Sequence, residues 1–268
     1  MFKIGAIGAG HMGMAVLDAI KEHGLTDAAD ILVYDLDSAR RKSAKSKGYT
    51  AAGSEIEVYT NCEMLMLAVR PQDCDYLAVK LEKCVARRED KPVIINIMAG
   101  ISSEYIRDII GADTAVISVM PTLGMVTGNG AAAIAKTENV PYDAIDYITK
   151  IFAATGDAVH VNESELKEIV AVNGCMPGYV LYLLDAFARS AEEYGIEYNM
   201  AIRMAARGFI GAAEQILGGG DAKELLLRVC TPGGLTSAGV DSFVLNRMDK
   251  IIENGMSESI RRGYELGK

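Results

Sequence analysis

The chain has 268 residues, 50% of them hydrophobic and 24% charged, with a net charge of −9 at pH 7. That length favours two domains over one core. The acidity argues against nucleic acid or an anionic membrane as the main partner. The chain opens directly in a strand pattern, so no signal or transit peptide is expected. The five cysteines form no C-x-x-C pair and the three histidines lie far apart. Reduced thiols, a cytoplasmic setting and no metal site are the expectation. An apolar stretch around Ile169–Ala188 is broken by Asn173, Gly174, Pro177 and Asp185, so it is not read as a membrane span.

The β-branched run Ile4–Ile7 reads as a buried strand. Gly8, Gly10 and Gly13 follow it, then the helical pattern Met14, Leu17, Ala19, Ile20. This is G-x-G-x-x-G between a strand and a helix, the dinucleotide-binding fingerprint. Gly8 permits the tight turn, Gly10 leaves room for a pyrophosphate, and Gly13 lets helix and strand pack closely. The helix amino end offers N–H groups to phosphates. Ile31–Tyr34 reads as the next strand and Asp35 closes it, about twenty residues on, where a carboxylate meets ribose hydroxyls. The plain alternative is a glycine-rich turn that binds nothing.

Further on, Ser38–Lys47 reads as a helix, Met64–Val69 as a strand and Gln72–Cys84 as an amphipathic helix. Val93–Ile97 is a buried strand, a helix capped by Ser102 or Ser103 follows, and Ala115–Met120 is a strand stopped by Pro121. Gly130–Ala135 and Ala158–Val161 flank a helix at Tyr142–Phe152. Alternation at this spacing predicts a mostly parallel, doubly wound sheet.

Beyond Val161 only helices are expected: Ser164–Val172, Pro177–Tyr194, Asn199–Leu217, Ala222–Val229, Thr236–Asn246 and Met248–Leu266. The expected fold is therefore α/β, with a Rossmann-type dinucleotide-binding domain over residues 1–161 and an all-α dimerisation and substrate domain over 162–268. Met200, Met204, Ala205, Gly208, Gly211 and Ala212 make a small-residue face that admits a close helix partner, either a second subunit or the monomer's own core.

Ligands of such sheets sit beyond the carboxyl ends of the strands. The loops to read are Ala68–Gln72, Met98–Gly100 and Met120–Thr122. In the helical part, Cys230–Thr236 places Gly233 and Gly234 at a helix start, where backbone N–H groups suit a carboxylate, with the Thr236 hydroxyl one turn in.

Taken in order, these motifs resemble those of the pyrroline-5-carboxylate reductases. Gly8-x-Gly10-x-Met12-Gly13 matches that family's cofactor loop. Val69-Arg70-Pro71-Gln72 matches its Val-Lys-Pro-Gln, Met98-Ala99-Gly100 its Ala-Ala-Gly, and Pro232–Thr236 its Ser-Pro-Gly-Gly-x-Thr. The resemblance implies reduction of the cyclic imine 1-pyrroline-5-carboxylate to proline by NADPH or NADH, in a homodimer or higher oligomer. It implies cofactor contacts at Gly8, Gly10, His11, Met12, Gly13, Asp35, Val69, Arg70, Pro71, Ala99 and Gly100. It implies substrate contacts at Cys175, Met176, Gly233, Gly234 and Thr236, with the Thr236 hydroxyl at the ring nitrogen.

Two segments depart from the family's pattern. Met120-Pro121-Thr122-Leu123-Gly124 stands where Met-Pro-Asn-Thr-Pro is usual. Asn173–Tyr179 stands where Ser-Gly-Ser-Gly-Pro-Ala-Tyr is usual. Two other readings stay open: a β-hydroxyacid dehydrogenase or related imine or keto-acid reductase, and a non-catalytic dinucleotide-binding protein. The first lacks its Lys–Asn pair, because Ala171 stands one turn after Lys167. Asp35 favours NAD, while Arg40, Arg41 and Lys42 could reach a 2′-phosphate.

Overall fold

The alternating apolar pattern of the first half folds as an eight-stranded sheet in the order β3-β2-β1-β4-β5-β6-β7-β8. The structure, a computed structural model, describes residues 1–85, 88 and 90–266. Strands β1 (Phe2–Ile7), β2 (Ile31–Tyr34), β3 (Thr50–Ala51), β4 (Cys62–Leu67), β5 (Val93–Asn96) and β6 (Val116–Pro121) run parallel. β7 (Gly130–Lys136) pairs antiparallel with β6 and parallel with β8 (Gly156–His160).

Both faces are covered, as a parallel sheet requires. Successive side chains of a strand point to opposite faces. Thus Ile4, Met64, Met66 and Ile95 pack against Leu17 and Ile20 of α1 (His11–Glu22) and Ile148 and Phe152 of α6 (Tyr142–Ala153). Ile7, Leu65, Leu67 and Ile94 face the other way. They meet Val58 of α3 (Glu55–Asn61), Leu77 of α4 (Cys74–Val85) and Ile106 of α5 (Ser103–Ile110).

The strand and helix positions agree with the sequence reading within a few residues. The exception is β3 and α3, in a stretch for which no element was expected. β3 is too short for an alternation to register. α3 carries a start signal, since the Ser54 hydroxyl accepts from the Glu57 N–H at 3.2 Å and the Glu57 carboxylate reaches back to the Gly53 N–H at 2.7 Å. Ser-x-x-Glu is a capping-box spacing.

The chain divides into two compact units, 1–175 with the stretch from Ser259 onward, and Met176–Glu258. The first unit thus runs past the end of the sheet at His160, taking in α7 (Leu166–Val172), which packs against β7. The end of α12 (Met248–Leu266) also belongs to it. There Tyr264 donates to the Glu168 carboxylate, and the Lys167 ammonium lies 5.2 Å from the Tyr264 ring centroid.

The second unit consists of α8 (Met176–Glu192), α9 (Tyr198–Leu217), α10 (Ala222–Val229), α11 (Leu235–Leu245) and the start of α12. α8 and α9 pack together, with Phe187 edge-on to Phe209 at 6.1 Å. Of its described hydrophobic residues only Leu184, Ala188 and Ala201 are buried in the single chain. Met200, Met204, Leu217, Leu227, Leu235 and Leu245 are exposed, and nothing lies within 4 Å of the positions a Cβ would take on Gly208 or Gly211. By length and composition the helical stretch Glu163–Glu192 could cross a membrane, and 11% of its apolar window is buried. Within it the chain turns at 173–175. The Asn173 amide there donates to the Met120 carbonyl at 2.6 Å.

Cys62, Cys74 and Cys84 are buried between sheet and helices, whereas Cys175 and Cys230 are partly exposed. Burial pushes the Cys62 thiol up to about 12, far from the thiolate that reacts. Cys62, Cys74 and Cys84 should therefore stay unlabelled by a maleimide at pH 7.5 in the native protein and become labelled in urea, as peptide mass spectrometry would reveal. Native labelling of Cys62 at the rate of a free thiol would contradict this packing.

Candidate active site

The strand order reverses at β1 and β4, and the crevice between their carboxyl ends is where a ligand of such a sheet is held. The glycine turn sits there. Gly8 has φ +105°, and a Cβ on it would lie 2.4 Å from the Ala68 carbonyl oxygen. Its N–H donates to the Tyr34 carbonyl at 2.8 Å, and the Ala68 N–H donates to Ile7 at 2.9 Å. Three strand ends are thereby sewn together. A Cβ on Gly13 would lie 2.5 Å from the Gly8 carbonyl oxygen, so α1 can approach β1 only through a glycine. Gly10 differs from both. Its Cβ would meet nothing nearer than Arg40 Nη1 at 3.8 Å. The space above it is open, and Gly10 caps α1 without a side chain. The first N–H groups of α1 have no intrahelical partner. This cradle fits a pyrophosphate.

A cleft of about 450 Å³ opens beside the turn and brings together Gly8, Gly10, His11, Asp35, Val69 and Arg70. Met12 and Gly13 do not line it; Met12 packs on the core and Gly13 is buried under the turn. Pro71, Ala99 and Gly100 lie outside it as well, on loops at the same edge of the sheet.

Asp35 is 8% exposed, and its carboxylate already has protein partners. Oδ2 accepts from the Ala9 N–H and Oδ1 from the Asp37 N–H, both at 2.8 Å, and Arg40 Nη1 stands 3.4 Å from Oδ2. A carboxylate has about four acceptor sites, so capacity for a ribose hydroxyl remains. The same group also braces the glycine turn against the β2 loop. Removing it would orphan the Ala9 N–H at a cost of about 1–3 kcal/mol.

Two other carboxyl-edge loops are braced from below. Buried Asn96 holds the Met98–Gly100 turn, donating to the Ile101 carbonyl at 2.7 Å and accepting from the Met98 N–H at 3.0 Å. The sequence reading passed over Asn96, although an amide closing an apolar strand is a turn signal. Thr122 is buried, and its hydroxyl accepts from the Ala131 N–H at 3.0 Å. It closes the β6–β7 ladder. Cys175 ends the first unit, its N–H donating to the Val170 carbonyl at 2.9 Å.

In the second unit Met176 opens α8 and is 37% exposed. Gly233 has φ +72°, and Gly234 is the residue before α11. The Gly234 N–H donates to the Thr231 carbonyl at 2.9 Å, so it is occupied within its own turn. The following N–H groups, at the start of α11, are the ones that lack intrahelical partners. Thr236 is exposed in the first turn of that helix. Among the described residues no cluster of His, Cys, Asp and Glu could hold a metal ion.

The two glycines separate folding from binding. Gly10→Ala should melt within a few degrees of wild type yet lose most of its dinucleotide affinity by fluorescence titration. Gly8→Ala, strained by its φ and by the Ala68 carbonyl, should lose several degrees of Tm without any ligand. Normal binding by Gly10→Ala would remove the cradle from the site.

Residues 163–266 match the model described as pyrroline-5-carboxylate reductase dimerisation, and residues 3–100 match that of NADP oxidoreductase coenzyme F420-dependent. A pyrroline-5-carboxylate reductase of Synechocystis is 31% identical over 271 residues, covering 99% of this chain and 98% of the relative. One from Methanosarcina acetivorans is 28% identical over 99% of this chain and 98% of the relative. The fold matches a pyrroline-5-carboxylate reductase structure from Coxiella burnetii with TM-score 0.89 and 22% identity, covering 100% of this chain and 99% of that one. It also matches a Plasmodium falciparum pyrroline carboxylate reductase with NADP bound, with TM-score 0.88 and 20% identity over 100% and 98% of the two chains. With that identity to the Synechocystis enzyme along its whole length, the chain belongs to the pyrroline-5-carboxylate reductase family.

Proposed function

We propose that this protein reduces 1-pyrroline-5-carboxylate to proline at the expense of a reduced nicotinamide dinucleotide. The observation that carries the reading is the open space above Gly10 at the sheet's switch point, in a chain whose family motifs occur in order. When bound, the dinucleotide supplies a hydride for the imine carbon. The chain's own part is to hold and orient. The N–H groups at the start of α1 receive the phosphates, and Asp35 and Val69 line the path of the adenosine half. Cys175, Met176, Gly233, Gly234 and Thr236 are the proposed substrate set, with backbone N–H groups of the Gly233–Thr236 turn other than that of Gly234 holding the carboxylate. The Thr236 hydroxyl serves the ring nitrogen. A cyclic imine protonates readily, so positioning suffices without a strong acid or base.

Two features count against a β-hydroxyacid dehydrogenase. The Lys167 ammonium sits over the Tyr264 ring, and the Asn173 amide is bound to the Met120 carbonyl. They form no catalytic pair with each other.

The helical part from 162 onward serves in this reading as the dimerisation and substrate domain, and the protein as a cytoplasmic homodimer or higher oligomer. The extent of exposed apolar side chain on α8 to α11 supports it, since a monomer rarely leaves so much uncovered.

Turnover of pyrroline-5-carboxylate, compared with a panel of 3-hydroxy acids, tests the reading; dinucleotide binding without reduction of the imine under either cofactor would overturn it. Thr236→Val keeps the shape and deletes the hydroxyl. One hydrogen bond of roughly 1–3 kcal/mol corresponds to a loss of about tenfold to a hundredfold in kcat/KM, with dinucleotide affinity retained. Gly208→Glu on the open face of α9 should give monomer or aggregate in sedimentation velocity. A well-folded wild-type monomer in dilute solution would refute the dimer.

A further inference from the structure

Glu55 is the first residue of α3 and is 6% exposed, yet among the described residues its carboxylate has no hydrogen-bond or ion-pair partner. It lines the same cleft as Asp35, Asp37, Arg40 and Arg70. Its oxygens are not among the sealed, unpartnered atoms of the interior, so they open on the cleft and can accept from a ligand there. The other charges of the cleft are already matched. Asp35 takes two backbone N–H groups and faces Arg40. Asp37 caps α2 (Ser38–Ser46) through the Ala39 N–H, and Arg40 Nε is 4.0 Å from it. Arg70 closes on Asp73 at 2.7 Å. Two more cations stand near. The Arg41 guanidinium lies 5.4 Å from the Tyr34 ring centroid and donates to the Asp35 and Leu36 carbonyls. Lys80 Nζ lies 5.1 Å from the Tyr76 ring centroid. Neither lines the cleft; Lys80 feels the Glu55 charge among lesser influences on it, but makes no ion pair with it.

The charge of Glu55 is felt at the wall of the cleft. Burial, and after it the Glu55 carboxylate, raise the Tyr34 phenol above its ordinary range. This carboxylate is therefore free to accept from a donor that arrives with the ligand. The adenosine half of a dinucleotide carries such donors in its hydroxyls and exocyclic amine. A 2′-phosphate ester offers none when ionised and adds negative charge.

We propose that Glu55 is a specificity-determining residue, which accepts a hydrogen bond from the adenosine end of the cofactor and repels a phosphate ester there, so that NADH is preferred to NADPH. This rests on the cleft being the dinucleotide site. Arg40 alone does not reverse the preference, because two acids already face it.

The test is the ratio of Kd for NADPH to Kd for NADH, measured by fluorescence titration on the full chain. In wild type the ratio should exceed one. In Glu55→Gln, which keeps an acceptor and removes the charge, it should fall about tenfold, as expected for one charge removed at partly screened range. Glu55→Ser, a residue tolerated in a first helical turn, should move it the same way and serves if Glu55→Gln does not fold. Binding of both dinucleotides with an unchanged ratio in the variants would overturn the role of Glu55 alone. A wild-type preference for NADPH would do the same. Failure of wild type to bind either dinucleotide would overturn the cofactor reading and this inference with it.

Discussion

The approach of Gly8 to the Ala68 carbonyl governs the carboxyl edge of this sheet. A Cβ on Gly8 would sit 2.4 Å from that oxygen, so β1 and β4 can end side by side only because the residue has none. Its positive φ turns the chain away from the strand direction at once. The next residues then cross the top of the sheet and enter α1 with free N–H groups. Gly13 repeats the constraint one helical turn later, bringing α1 onto the Gly8 carbonyl. The position of the phosphate cradle follows from these two contacts.

Charge at this edge is spent largely on architecture. Asp35 stands where a ribose ligand is expected, and it also ties the glycine turn to the loop after β2. Arg40 and Arg70 are each held by neighbouring acids. Glu55 accepts no hydrogen bond among the described residues and lines the cleft, and an acid left open to a ligand discriminates for donors and against anions. The two segments that depart from the family's pattern are likewise joined, since the Asn173 amide binds the Met120 carbonyl and Gly174 lies against the Met120 thioether. A change in one bears on the other.

The helical unit presents a different balance. Its helices are well formed and capped, with Glu197 accepting from two N–H groups at the start of α9 and Asp221 from two at the start of α10. Yet most of its large apolar side chains stay in contact with water in the single chain. Local signals suffice to make such helices. Burial of their apolar faces is a matter of what packs against them.

Much of the molecule was legible from sequence because its signals are local. The glycine spacing, the apolar runs of β1, β2, β4 and β5, and the 3.6-residue periodicity of the long helices each lie within a short window. So did the order of family motifs, from Gly8 to Thr236. Tertiary structure decided what those windows cannot contain. β3 spans only Thr50–Ala51, and its pairing with β2 comes from a register set across the sheet. The dual duty of Asp35 depends on the Ala9 N–H, which the fold brings to it from the end of another strand. Glu55 reads in sequence as one more helix-start acid. Only the packing of α3 against the sheet buries it and faces it to the cleft, since burial and the absence of a partner are properties of neighbours distant in sequence.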